Sequence, residues 1–174
     1  NAAGRMLMAR VYQPKGKGPF PAVLDLHGGA WTRKDRLAEE PMDRALASSG
    51  LVVVAVDLTL ASEAPYPACV QDANHAVRWL KANAARWNGD ISRLGVYGSS
   101  SGGHVAELLA MRPHDPRYSA IPVEGPPDVD ATVSWVAMRS PPSNTIARYE
   151  NAERRKNETM IQSNRTFFSP WESI

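Results

Sequence analysis

Two periods run through the hydrophobic and polar positions of the 174-residue chain. Leu51 to Val56 is a β-branched run with no polar break, the pattern of a parallel strand buried on both faces. Ala22 to Leu26, Leu94 to Tyr97 and Thr132 to Ala137 are shorter stretches that predict further strands. Arg5 to Tyr12 alternates, with Leu7, Ala9 and Val11 on one side and Met6, Met8 and Tyr12 on the other. The helical period is strongest from Pro67 to Trp87, where Cys69, Val70, Ala73, Ala76, Val77, Leu80, Ala84 and Trp87 share one face. Lys34 to Ser48 predicts a helix that stops at Gly50, and a further helix leaves the Gly98–Gly103 segment and runs to about Met111, ahead of Pro113. Strands alternating with helices specify the α/β class, a mostly parallel sheet with helices on both faces.

Composition sets bounds on this picture. With 43% hydrophobic and 22% charged residues the chain can build a single core, which excludes disorder as its dominant state. Twenty basic residues against 18 acidic ones leave a net charge of +2, too small a field to hold nucleic acid. One cysteine, Cys69, excludes an internal disulfide and a cysteine-ligated zinc cluster. The four histidines lack the paired spacing of a metal site, and no cofactor is implied. No apolar run approaches the ~18 residues of a membrane span and no signal-peptide pattern opens the chain, so the expected location is cytoplasmic. Secretion stays open because the sequence begins at Asn1. Residues 1–139 read as the N-terminal part of a catalytic domain. From Ser140 the character changes to a Pro-Pro pair, a mixed-charge stretch from Arg148 to Glu158, then Phe167, Phe168 and Trp171. Residues 140–174 read as a helical cap whose charges form a solvated face.

Two motifs carry chemistry. Gly98-Ser99-Ser100-Ser101-Gly102 has the G-x-S-x-G form and lies where a predicted strand meets a predicted helix. Such a turn holds its central hydroxyl outward and needs small flanking residues, while the helix N-terminus favours an oxyanion beside it. Ser100 is therefore the candidate nucleophile. The turn lacks the Gly-Lys-Ser/Thr of a phosphate loop and the spacing of a dinucleotide fingerprint. The second motif is His27-Gly28-Gly29-Ala30-Trp31, directly after the Ala22–Leu26 strand. A glycine-rich loop there can aim bare backbone at a developing oxyanion. Gly28, Gly29 and Ala30, joined by Ser101, form the expected oxyanion hole, with Gly29, Ala30 and Ser101 as N–H donors. His27 reads as a loop organiser that hydrogen-bonds backbone.

HGGAW at 27–31, ASEAPYPACVQDANHAVRWL at 61–80 and GSSSGGH at 98–104 resemble, in order and spacing, the α/β-hydrolase superfamily and its hormone-sensitive-lipase-like esterases with an HGG-x-W loop. Asp57 to Glu63 departs from the Tyr-Arg-Leu-Ala-Pro-Glu spelling of many relatives, which shifts the resemblance toward bacterial feruloyl or acetyl esterases and arylformamidases. The resemblance implies a serine esterase acting on small acyl esters through an acyl-enzyme, with Asp72 as a structural helix residue. An arylformamidase-like amidase and an inactive hydrolase-fold binding protein are the alternatives. In this superfamily the triad runs Ser, acid, His. Only His104 and His114 follow Ser100, the first in the helix body and the second beside Pro113, while Asp115, Asp128 and Asp130 precede the last candidate strand. The expectation is a sheet incomplete on its C-terminal side, with the acid and base in a missing C-terminal segment of the same protein. The implied partner is a small-molecule ester; oligomeric state is not legible.

Overall fold

The computed structural model describes residues 5–123 and 129–170; Asn1, Asp128 and Trp171 lie outside the described residues. Five strands, β1 (Ala9–Tyr12), β2 (Phe20–Leu26), β3 (Val52–Val56), β4 (Gly89–Ser99) and β5 (Trp135–Arg139), form one sheet in the order β1-β3-β2-β4-β5. β1 runs antiparallel to β3, and the other three pairings are parallel. Parallel neighbours need long crossovers. These are supplied by α1 (Glu40–Ser48), α2 (Ala68–Asn83) and α3 (Ser101–Met111).

Every residue of β3 is buried, as its uninterrupted apolar spelling requires. Val52, Val54 and Val56 join Leu24 and Leu26 in the main core beneath α2 and α3, whereas Val53, Ala55 and Val23 face Ala47 and Leu46 of α1. The α/β-hydrolase sheet with helices on both faces is thus present. Among the described residues no helix is long and apolar enough to cross a membrane.

Boundaries shift where local chemistry overrides periodicity. α1 starts at Glu40, with Pro41 in its first turn, because Asp35 accepts the Leu37 N–H at 2.9 Å and holds the preceding residues in a turn. β5 starts at Trp135 and not at Thr132, since Asp130 accepts both the N–H (3.1 Å) and the hydroxyl (2.6 Å) of Thr132. β1 is shorter than the alternation from Arg5 suggests, and β4 is longer than Leu94–Tyr97, adding a register shift opposite Pro21 and Val23. α2 gives way at Ala84 to a single 3-10 turn, closed by left-handed Asn88 at φ 55°.

After β5 come α4 (Thr145–Arg154) and α5 (Glu158–Phe167). Asn144 caps the first, accepting from the Ala147 N–H at 2.9 Å, and Asn157 the second, accepting from Met160 at 3.1 Å. Most charges of the segment are exposed. Phe167, however, is fully buried in the main core and stacks on Trp31 with ring centroids 4.5 Å apart.

Candidate active site

β4 ends at Ser99 and α3 begins at Ser101, leaving Ser100 as the hinge of the turn. Its backbone sits at φ 52°, ψ −119°, a strained region for a residue with a side chain. The packing around it leaves no slack. A Cβ at Gly98 would come within 2.5 Å of the Gly102 carbonyl oxygen, and one at Gly102 would overlap the carbonyl oxygen of Leu26 at the end of β2. The Ser100 N–H donates to the Arg139 carbonyl at 2.8 Å, fixing the turn to β5, and the Ser100 carbonyl accepts from the His104 N–H at 3.2 Å. Ser100 itself is exposed, and its hydroxyl has no hydrogen-bond partner among the described residues.

The HGGAW loop folds against this turn. Gly28 packs so closely that an added Cβ would be 2.9 Å from the Ser99 carbonyl oxygen and 3.3 Å from Ser100 Cβ. Gly29 adopts φ 113°, Ala30 φ 53° and Trp31 φ 62°, and the Thr32 N–H closes the turn on the Gly29 carbonyl at 3.1 Å. The N–H groups of Gly29, Ala30 and Ser101 are taken up by no hydrogen bond among the described residues. Ala30, Ser100 and Ser101 line one cavity of about 570 Å³, roofed by residues of the β5–α4 loop and α4. The structure therefore gathers Ala30 and Ser101 around Ser100 in the cavity wall, with Gly28 packed behind them on Ser99 and Ser100; neither Gly28 nor Gly29 is among the lining residues.

The four histidines have distinct environments. His27 is buried, and because the Leu58 N–H donates to its Nε2 at 3.3 Å, the proton is on Nδ1, which donates to the Gly28 carbonyl at 2.8 Å. Both ring nitrogens are used in holding the loop, and burial keeps the ring neutral by lowering its pKa. His104 is buried edge-on against Trp31 and Phe167, at centroid distances of 5.5 and 5.7 Å. Burial takes its pKa down to about 4. His75 is half-buried on α2, its pKa also lowered by burial, and exposed His114 lies 3.9 Å from Asp130. Among the described residues no hydrogen bond joins the Ser100 hydroxyl to a histidine ring. Asp72 accepts the Thr59 N–H at 2.7 Å and anchors the loop after β3 to α2, the structural part that the resemblance gave it.

Sequence reasoning missed Arg148, which lines the cavity from α4. It stood inside a charge run whose other members are mostly solvated, and no periodicity set it apart. It also missed the carboxyls of Asp25 and Asp43, buried beneath α1, because a single acid in an apolar strand does not reveal what faces it.

Comparison with known proteins agrees with this geometry. Residues 10–167 match the BD-FAE family. The chain is 39% identical over 120 residues to carboxylesterase NlhH of Mycobacterium tuberculosis, covering 68% of this chain and 35% of that protein. It is 30% identical over 150 residues to the versiconal hemiacetal acetate esterase of Dothistroma septosporum, covering 84% and 45%. Among solved structures, Thermogutta terrifontis esterase 2 phosphonylated by sarin superposes with a TM-score of 0.67 at 24% identity, over 78% of this chain and 49% of that one. The chain spans between a third and a half of the length of these relatives. The match over nearly the whole described chain, the sheet order and the strand-turn-helix at Ser100 agree, and the chain belongs to the BD-FAE family of hormone-sensitive-lipase-like α/β-hydrolases.

Proposed function

We propose that the protein is a serine esterase that cleaves carboxylic esters of small acyl groups through an acyl-enzyme at Ser100. The observation carrying this reading is the strained Ser100 backbone, which presents an unpartnered hydroxyl to a cavity beside unused N–H groups. In the reaction Ser100 Oγ attacks the ester carbonyl, and the N–H groups of Gly29, Ala30 and Ser101 receive the negative charge that develops on the carbonyl oxygen. The alcohol departs with a proton, and water then releases the acid. Gly28 has no side chain to block that approach. Residues 140–170 serve as a cap, with α4 and its preceding loop roofing the acyl pocket. Relatives named as esterases support the same chemistry.

Activation of the hydroxyl requires a histidine that the described residues do not bring to Ser100, so this reading places the base outside them. That same observation favours a second reading, an inactive hydrolase-fold binding protein. Fluorophosphonate labelling with peptide mapping separates the two. An esterase is labelled at Ser100 alone, and Ser100→Ala loses labelling together with p-nitrophenyl acetate turnover. Labelling at Ser99 or Ser101 rejects the assignment, and no labelling of the intact protein favours the binding reading.

A further inference from the structure

Among the described residues Arg148 is the only charged side chain lining the cavity at Ser100. Its Nη1 donates to Asn164 Oδ1 at 2.6 Å and, more weakly, to the Met160 carbonyl at 3.4 Å, while Nη2 lies 3.5 Å from Ser163 Oγ. The guanidinium carbon stands 5.1 Å over the Trp31 ring. All of these partners are neutral. No carboxylate pairs with Arg148 among the described residues, and burial is what lowers its pKa. A half-buried guanidinium normally takes a carboxylate or phosphate, because desolvation penalises an unpaired charge and the planar fork matches such anions. Asn164 and Trp31 fix the group in place, which removes most of the ordering cost of binding an anion. Neither Nε nor the second proton of Nη2 has an acceptor among the described residues, and both donors belong to a residue in the wall of the cavity that holds Ser100.

We infer that Arg148 selects substrates carrying a carboxylate, so that the preferred esters are anionic, such as half-esters of dicarboxylic acids. The inference rests on the esterase reading of Ser100 and adds the charge of the substrate to it. Arg148 supplies a counter-charge that the other described lining residues do not; the carboxylate lies against the guanidinium while the ester carbonyl reaches Ser100. The pocket's other lining polar groups, among them Asn144 and Asn151, are uncharged and do not repel the anion.

The test is a binding comparison on the whole protein with Ser100→Ala, which removes turnover from the readout. Monomethyl glutarate and methyl pentanoate differ only by a carboxylate in place of a methyl group, and the anionic ester should bind at least about tenfold more tightly. Arg148→Met should erase that preference and leave methyl pentanoate affinity near its starting value; Arg148→Lys, which keeps the charge without the fork, should retain part of it. With the arginine intact, raising the salt from about 0.05 to about 0.5 M should shrink the preference and spare the neutral ester, a result that needs no substitution at Arg148. Equal affinities for the two esters, or a preference that survives Arg148→Met, overturns the inference. Failure of the esterase reading shows separately, as absence of turnover of both esters in the protein with Ser100 intact.

Discussion

Asp57 and Asp25 both stand on central parallel strands or their ends, and both are almost wholly buried, yet their surroundings are opposite. Burial pushes the Asp57 carboxyl up, but the N–H groups of Arg36 and Met8, each at 3.1 Å, and the Arg36 guanidinium at 3.0 Å outweigh it and hold the group below the usual carboxylate range. Asp25 points beneath α1, where neither carboxyl oxygen has a hydrogen-bond partner among the described residues. Burial, with Asp43 and Glu39 nearby, lifts it to about 8 despite the opposing charge of Arg139. Asp43, also without partners, is lifted to about 7 by burial, Glu39 and Glu40. The hydroxyls of Tyr12 and Tyr97 are unpartnered in the same region. The Asp57 carboxylate at the end of β3 is supplied with donors on both oxygens, whereas the α1 face buries carboxyls that it does not satisfy. A folded chain tolerates the second arrangement by keeping the carboxyls protonated, which ties that face to pH.

Asp57→Asn should give the largest effect. It removes a charge that receives several donors and ties the segment before β1 to the loop around Arg36, so urea unfolding at pH 7 should show a loss of about 2 kcal/mol. The sign with pH follows from the lowered native pKa. Stabilisation by Asp57 is fully present above the usual carboxylate pKa near 4 and disappears as pH falls through the native value, so wild type and variant should converge in acid. A deficit that persists unchanged at pH 2 would mean that packing, and not charge, is what the variant removes.

Asp25→Asn should behave in the reverse sense and with somewhat smaller amplitude. A carboxyl whose native pKa is raised holds its proton in the folded state when the unfolded chain has released it, so its contribution is complete below about pH 4 and declines as pH rises toward 8. The variant should match wild type near pH 4 and be more stable at pH 8, by about 1–2 kcal/mol once water reaching the ionised carboxyl relieves most of its desolvation. Thermal unfolding across that range checks this, and a variant that is less stable than wild type at pH 8 would show that the carboxylate has found a partner beneath α1.

The sequence revealed the elements whose side chains answer to one neighbourhood. The run at Val52–Val56 could only be a strand buried on both faces, and α2 showed its apolar stripe because a single sheet face receives it. The turn at Ser100 was legible because its strain and close packing demand glycine at 98 and 102, so backbone geometry is written directly into residue type. Asp25 was hidden for the opposite reason. It interrupts an otherwise apolar stretch, but its consequence depends on Asp43 and Glu39 from α1, which only the fold brings near. Arg148 and Phe167 were hidden in the same way: one stands in a solvated charge run and the other ends a polar helix, yet both meet Trp31 from across the chain. Local shifts such as the late starts of α1 and β5 come from aspartate turns that compete with the neighbouring pattern.

The smallest expected effect sharpens the comparison most finely. Tyr97 lies on β4 with its ring against the α1-side core, and its buried hydroxyl makes no hydrogen bond among the described residues. Removing an unsatisfied buried hydroxyl relieves a desolvation cost without breaking an interaction, so Tyr97→Phe should leave stability unchanged or raise it by up to about 1 kcal/mol. Its phenol pKa is raised by burial, and the nearby carboxyls of Asp25 and Asp43 add to the rise while Arg139 opposes it, so the hydroxyl stays neutral from pH 5 to about 8 and the gain should be flat there. The control is the hydroxyl of Tyr66, which pairs with that of Tyr118 at 2.7 Å on the other side of the sheet; Tyr66→Phe should cost about 1 kcal/mol by the same urea measurement. If Tyr97→Phe costs as much as Tyr66→Phe, the Tyr97 hydroxyl is satisfied by ordered water, and this position on the α1 face is as well hydrogen-bonded as the Tyr66–Tyr118 pair.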